Sequence, residues 1–308
     1  MLACGLVACG EDRSSARQDA RGLSDVRQSG RIADPYLVEQ SGLARTTRDD
    51  GVFWSHNDSG HLPQLFALDS TGASRGRWKV AGARNGDWEA IAVGACDTGS
   101  CVYLADVGDN GARRRTVSIW RVREPTLPSP SAVESGEALG LQTDSARRIH
   151  IRYSDGAHDV EAMWVSPDTS VWLLTKRPHR DAAGGFRRAL LFRVPSSAWR
   201  ISGPAIAELV DSLPLVPLGN DSDRWVTDAS FTASGPDGAR LAVRTYQEVA
   251  IFSTDAVTGR PGGAVARCSL RSLRERQGEA VAWMPDGRLL FGNEGRRSRL
   301  WTGRCQHQ

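Results

Sequence analysis

The residues in this chain best suited to chemistry are carboxylates placed at the start of apolar runs. Asp87-Trp-Glu-Ala-Ile-Ala sets Asp87 and Glu89 ahead of a stretch that otherwise belongs in a core, and Asp159-Val-Glu-Ala-Met-Trp repeats the device with Asp159 and Glu161. Gln277-Gly-Glu-Ala-Val-Ala carries Glu279, Val226-Thr-Asp-Ala-Ser-Phe carries Asp228, and Glu39-Gln-Ser-Gly-Leu-Ala carries Glu39 and Ser41. Residues two apart on a strand share a face, so if these strands converge on one axis their acids crowd one another. Two unit charges ~7 Å apart repel by ~2 kcal/mol at an effective dielectric of ~20, so four mutually close acids would cost roughly 10 kcal/mol. A domain of ordinary stability needs a remedy: protonation, pairing with a basic side chain, or a bound cation.

The elements that must position these acids are short strands. Each motif leads through a turn to a second apolar run: VFWSHNDSG from Val52, VYLADVGDN from Val102, VWLLTKR from Val171, LAVRTY from Leu241 and LLFGNEG from Leu289. A third run follows (QLFALD, VSIWRV, ALLFRV, EVAIFS, SRLW), and in four cases a more polar fourth (RWKVAG, RIHIRY, AIAELV, AVARCSL). Four strands per repeat around a ring is the pattern of a β-propeller. The expectation is an all-β fold with five four-stranded blades over residues 31–308, closed by an N-terminal strand around Tyr36 to Val38 that leaves no open edge at the seam. Six blades stay open, with Ser131 to Asp155 or Asp211 to Trp225 as a degenerate unit.

In a propeller the first strand of each blade lines the channel. Glu89, Glu161, Asp228 and Glu279, with Asp87, Asp159 and Asp106, are therefore the candidate metal ligands, and Glu39, Ser41, Lys176, Arg244 and Asn293 the candidate channel lining. An all-oxygen donor set without thiol or clustered imidazole favours Ca²⁺ over transition metals. The competing reading is that these acids only hydrogen-bond amides and arginines to close the ring. His56, at the end of a second strand, is the candidate general base, and His158 beside Asp159 is a second. His56 to Gly60 and Gly108 to Gly111 read as turns, Trp88 points into the gap between blades, and Glu124 to Gly140 reads as a surface excursion.

Composition narrows the function classes. Of 39 basic residues only Lys79 and Lys176 are lysine, and a net charge of +3 on scattered arginines argues against a nucleic-acid partner. Cys96 with Cys101, and Cys268 and Cys305, suit disulfides formed outside the cytosol. Leu6-Val7-Ala8-Cys9 resembles a bacterial lipobox, so residues 1–9 are expected to be the end of a signal peptide whose true start lies upstream. Cys9 is then the lipidation site, and residues 10–30 a flexible tether. The expected protein is a monomer outside the cytoplasm, touching membrane only through its anchor. G-x-S-x-G, H-E-x-x-H, P-loop and Rossmann signatures are absent.

Glu39 in E-x-S-G-L, Trp54 in W-S-H-N-D-S-G, Asp87 in D-W-E-A-I-A and Ala105 in A-D-V-G-D-N together resemble a group of secreted bacterial propeller lipoproteins, distantly similar to phytase-like and esterase-like propellers. The resemblance implies a calcium-binding channel and an extracytoplasmic location, and more remotely a calcium-dependent hydrolase acting on phosphoesters or lactones. A metal-free, protein-binding propeller is the remaining class.

Overall fold

The computed structural model describes residues 21–97, 99–177, 188–215, 221–235 and 237–306. The lipobox, Cys9 and the first half of the tether lie outside them. Strands β1 (Arg21–Gly22) and β2 (Ser24–Arg31) open the described chain and are followed by β3 (Gln40–Arg45), β4 (Val52–Asn57), β5 (Gln64–Asp69) and β6 (Ser74–Lys79). Next come β7 (Trp88–Cys96), β8 (Gly99–Asp106), β9 (Val117–Arg123), the short helix α1 (Pro130–Glu134), β10 (Leu139–Gln142) and β11 (Arg147–Tyr153). The remainder is β12 (Val160–Val165), β13 (Val171–Thr175), β14 (Ala189–Val194), β15 (Ala205–Leu213), β16 (Val226–Gly235), β17 (Gly238–Thr245), β18 (Glu248–Thr254), β19 (Pro261–Ser269), β20 (Gly278–Trp283), β21 (Leu289–Asn293) and β22 (Arg299–Arg304).

The fold is all-β and propeller-like. Consecutive strands pair antiparallel in the runs β3 to β6, β12 to β15 and β16 to β19, and β7-β8-β9-β11 does the same around the excursion. β11 and β15 then meet in parallel, from Ile151↔Ala205 to Tyr153↔Ala207, and merge two runs into an eight-stranded sheet. The first strands β3, β7, β12, β16 and β20 pack each against the next, and β20 packs against β3.

Alternating side chains explain this packing. Successive residues of an inner strand point to opposite faces, and here both faces meet a neighbouring sheet: Leu43 packs with Phe53, Ala280 and Leu290, while Ala44 packs with Trp54, Trp88 and Ile91. The second strands, buried on both sides as well, need near-continuous apolar runs, which VYLA in β8, VWLL in β13 and LLF in β21 supply.

The seam lies elsewhere than the spacing predicts. β2 pairs antiparallel with β22, from Ser24↔Arg304 to Arg31↔Arg299, so residues 24–30, expected in the tether, form strand. Leu23 and Val26 pack against the core beside Trp301, enough apolar anchorage to add this segment to an otherwise open edge. Tyr36 instead lies in a turn, 60% exposed, with the Arg77 guanidinium 4.2 Å from its ring centre. Gly30 permits the seam, because a Cβ there would sit 1.8 Å from the Thr71 carbonyl oxygen. The segment Ser131 to Asp155 supplies α1, β10 laid parallel on β6, and β11. Asp211 to Trp225 holds the end of β15 and a single 3₁₀ turn among its described residues.

Candidate functional site

The acids gather because every inner strand carries one extra residue at the same place. Pairing runs Trp88↔Asp106 then Ala90↔Ala105, Val160↔Thr175 then Ala162↔Leu174, and Gly278↔Asn293 then Ala280↔Gly292. Glu89, Glu161 and Glu279 are therefore bulge residues without a partner opposite them, and a bulge re-aims the side chain it carries. Ser41 lies in the matching irregularity of β3.

In β16 the bulge residue is Thr227, and Asp228 falls one place later, opposite Arg244, where the other strands carry Ala90, Ala162 and Ala280. This corrects the sequence alignment, which set Asp228 level with the glutamates. Asp228 is fully buried, and its carboxylate accepts the amides of Ala229 and Val281, each at 2.8 Å, and of Leu43 at 3.3 Å. It stitches β16 to β20 and β3 and has its oxygens committed to amides. Burial pushes its carboxyl up, against those three donors.

A second tier comes from the residue after each second strand: Asp58, Val107, Lys176, Tyr246 and Glu294. The amides of Asp58, Val107, Lys176 and Glu294 return to the carbonyls of Glu39, Asp87, Asp159 and Gln277 at 2.9 to 3.1 Å, which seats this tier beside the start of each inner strand.

On one wall, Asp58, Asp87 and Glu89 can each direct an oxygen so that all lie within 4.8 Å of one another. Gly108 makes the approach possible, since a Cβ there would lie 2.4 Å from Glu89 Oε1 and 2.5 Å from the Asp87 carboxylate. Asn85 fixes the Asp58 loop by donating to the carbonyls of Asp58 at 2.7 Å and Asn57 at 3.2 Å. Burial raises the pKa of all three acids; after burial, Glu161 and Asp58 add to the rise at Glu89, Asp58 to that at Asp87, and Glu39 to that at Asp58. In the neighbouring unit, where β12 packs on β7, Lys176 Nζ lies 2.5 Å from Glu161 Oε1. Burial opposes the charge on both partners; the lysine ends raised because the carboxylates around it outweigh that cost. The Tyr246 hydroxyl donates to Glu279 Oε1 at 3.1 Å, and burial pushes Glu279 and Glu294 up to about 7.

Several expected site residues serve other ends. Asp106 accepts from Arg114 at 2.8 Å and from the amides of Asp87 and Gly86 at 3.2 and 3.3 Å, so it caps the turn that presents Asp87. Asp159 takes the Asp109 amide at 2.9 Å, with Arg177 at 4.0 Å. Arg244 is wholly buried between β17 and the β20-β21 pair, donating to Ala280 O at 2.7 Å and Gly292 O at 3.0 Å and pairing with Glu275. It is a packing element, and Gly278 leaves the space it fills. Ser41 donates to Glu89 O at 3.1 Å, Asn293 to Glu294 O at 3.1 Å, and Glu39 meets His61 at 2.9 Å on the rim.

His56 does not open on the mouth. It is fully buried against Trp88, ring centres 5.9 Å apart, its Nδ1–H donates to Asn57 O at 2.9 Å, and burial holds its pKa down at about 4. A neutral imidazole sealed from solvent has no route to a substrate proton, which corrects the general-base expectation. His158 is likewise buried, 2.8 Å from Asp155 and packed on Tyr153 and Phe192. Trp88 lies in the gap between sheets, as expected, and donates from Nε1 to Arg84 O at 3.0 Å.

Sequence reading missed Asp58, Glu294, Tyr246 and Glu275. The signal for the first two was present, because Asn57-Asp58 and Asn293-Glu294 end equivalent strands; a turn-forming composition masked it. Both disulfides are formed, Cys96–Cys101 and Cys268–Cys305. A cavity of about 330 Å³ lies at the other end of the axis, between the downstream halves of the inner strands at 43–47, 91–95, 163–167 and 229–234. No described helix is long and apolar enough to cross a membrane.

Fold and site together define a propeller-type protein with an acid-lined axial mouth. No protein-family profile and no curated protein matches the chain. Among solved structures it is similar to the major allergen Mala s 1 of Malassezia sympodialis, at TM-score 0.52 and 12% identity over 92% of this chain and 97% of that one. It also superposes on the soluble aldose sugar dehydrogenase of Escherichia coli, at TM-score 0.48 and 12% identity over 92% and 99% of the two chains. A third is the gluconolactonase XC5397 of Xanthomonas campestris, at TM-score 0.42 and 12% identity over 94% and 98%. At 12% identity the likeness to Mala s 1 speaks for the fold alone.

Proposed function

We propose that this protein is a five-bladed propeller, closed by β2, that binds one divalent cation, Ca²⁺, at its axial mouth through Asp58, Asp87 and Glu89 and presents that face to a ligand or partner. The observation that carries the reading is the convergence of those three carboxylates to within 4.8 Å. Two oxygens bound to one Ca²⁺ at about 2.4 Å can stand at most about 4.8 Å apart, and hard oxygen donors suit this ion. A cation also answers the electrostatic problem of acids held close and away from water. The ring of inner-strand contacts from β3 round to β20 supports the blade count. The disulfides support a location outside the cytoplasm, and the lipobox a lipid anchor at Cys9.

The test is metal content and stability. Protein purified without chelator is expected to carry one calcium by native mass spectrometry, and EDTA is expected to lower its melting temperature, with Glu89→Gln losing the ion. A metal-free wild type whose melting temperature ignores both EDTA and added calcium refutes the proposal.

A second reading, a calcium-dependent hydrolase, is favoured by Glu279 and Glu294, two carboxyls of the β20-β21 unit that burial raises to about 7, with the Asp58 charge adding to the rise at Glu294. A carboxyl near the working pH is suited to general acid or base duty, and either would take the part first assigned to His56.

A further inference from the structure

Glu89 is 4% exposed, and its carboxylate takes neither a hydrogen bond nor an ion pair among the described residues. It stands with Asp87 over Gly108, and both direct an oxygen to within 4.8 Å of one from Asp58. These three groups come from two sheets that share no strand pairing: Asp58 follows β4, whereas Asp87 and Glu89 stand at the start of β7. Their spacing therefore depends on whatever ties one sheet to the other at this end.

That tie is a single side chain. Asn85 Nδ2 donates to the carbonyls of Asp58 at 2.7 Å and Asn57 at 3.2 Å, while its Oδ1 accepts the Trp88 amide at 3.1 Å. The amide is thus committed at both ends, its donors to the Asp58 loop and its acceptor to β7; turned over, it would set an oxygen against two carbonyls. Neither side can yield easily. Asn57 Oδ1 accepts the amides of Val38 and Glu39, each at 2.9 Å, which pins the Asp58 loop to the entry of β3. Asp106 holds the amides of Asp87 and Gly86, and the buried Trp88 indole donates to Arg84 O at 3.0 Å, closing the turn that carries Asn85.

We infer that Asn85 is the positioning residue that sets ion size at the mouth: by cross-linking the Asp58 loop to the start of β7, it holds the three carboxylates at a Ca²⁺ spacing and keeps them from closing on Mg²⁺. This rests on the cation reading above. Ca²⁺ takes oxygens at about 2.3–2.6 Å in irregular geometry, whereas Mg²⁺ demands about 2.1 Å, so oxygens across Mg²⁺ stand at most about 4.2 Å apart. A frame open to 4.8 Å must contract by up to about 0.6 Å to suit the smaller ion, and a cross-linked frame resists contraction.

Calorimetric titration of the full chain with Ca²⁺ and with Mg²⁺ tests this, with circular dichroism confirming the fold. Wild type is expected to prefer Ca²⁺ by about a hundredfold or more. Asn85→Ala is expected to weaken Ca²⁺ about tenfold and to leave Mg²⁺ within about threefold, so the preference falls. Asn85→Ser keeps an oxygen for the Trp88 amide but is too short to cross to the Asp58 loop; it is expected to behave alike, and it replaces alanine if that variant does not fold. A general loss of stability would lower both ions together, so the ratio separates positioning from support. A Ca²⁺ to Mg²⁺ ratio within about threefold of wild type in the variants overturns the inference, as does a wild type that binds both ions equally, and either leaves the cation reading intact. A wild type that binds neither ion overturns both.

Discussion

Gly108→Ala isolates the cation cradle from the rest of the fold. Gly108 lies outside the left-handed region of backbone space, so alanine is excluded there by room alone. The added Cβ would stand 2.4 Å from Glu89 Oε1 and 2.5 Å from the Asp87 carboxylate, where ordinary contact begins at 3.4 Å. Two of the three proposed ligands must therefore retreat by about 1 Å, against a spread of only about 0.3 Å in Ca–O bond lengths. Calcium affinity is expected to fall by about a hundredfold or more. The fold itself should lose about 1–3 kcal/mol, the usual cost of overpacking, and the melting temperature a few degrees. Gly111→Ala is the control, since its nearest neighbours are side-chain atoms of Arg113 at 3.4 Å. Calorimetry with calcium on both variants decides. Wild-type affinity in a folded Gly108→Ala protein would show that Asp87 and Glu89 are not paired ligands in this arrangement.

Two further outcomes follow from the raised carboxyls. Glu279 keeps its proton in the folded chain up to about 7, whereas the unfolded chain releases it near 4.5, so the unfolded state binds fewer protons across that window. Stability in chelator should therefore fall as pH rises from about 4.5 to 7, by about 3 kcal/mol for this buried group, with half-buried Glu294 adding in the same direction. Calcium favours the ionised forms and should flatten the slope; a melting temperature in EDTA that rises over this range contradicts the assignment. For the hydrolase reading, calcium-loaded protein should turn over members of a phosphomonoester and lactone panel and lose that activity in Glu89→Gln. Calcium bound without turnover leaves the binding function and removes the enzymatic one.

The repeat of four strands was legible in the sequence because blade strands are short, apolar and punctuated by turn residues, and because inner strands buried on both faces must read as nearly continuous Val, Leu, Ile and Ala. The glutamates Glu89, Glu161 and Glu279 were legible for the same reason: a charge ahead of a buried run breaks a pattern that packing otherwise enforces. What the sequence could not carry was register. A one-residue bulge puts Thr227 rather than Asp228 in the glutamate column, and the chemistry of Asp228 changes from candidate ligand to interstrand brace. Partner choice was equally hidden, since nothing local to Arg244 announces Glu275 thirty-one residues on, nor the Gly278 gap that admits it. His56, Asn57 and Asp58 are neighbours in the chain, yet alternation and the strand end bury the first against Trp88 and deliver the third to the mouth. Residue types and period determined that acids would meet on an axis; only the packed sheets decided which oxygens are free there, because each is either claimed by an amide or left facing the mouth according to a shift of one residue.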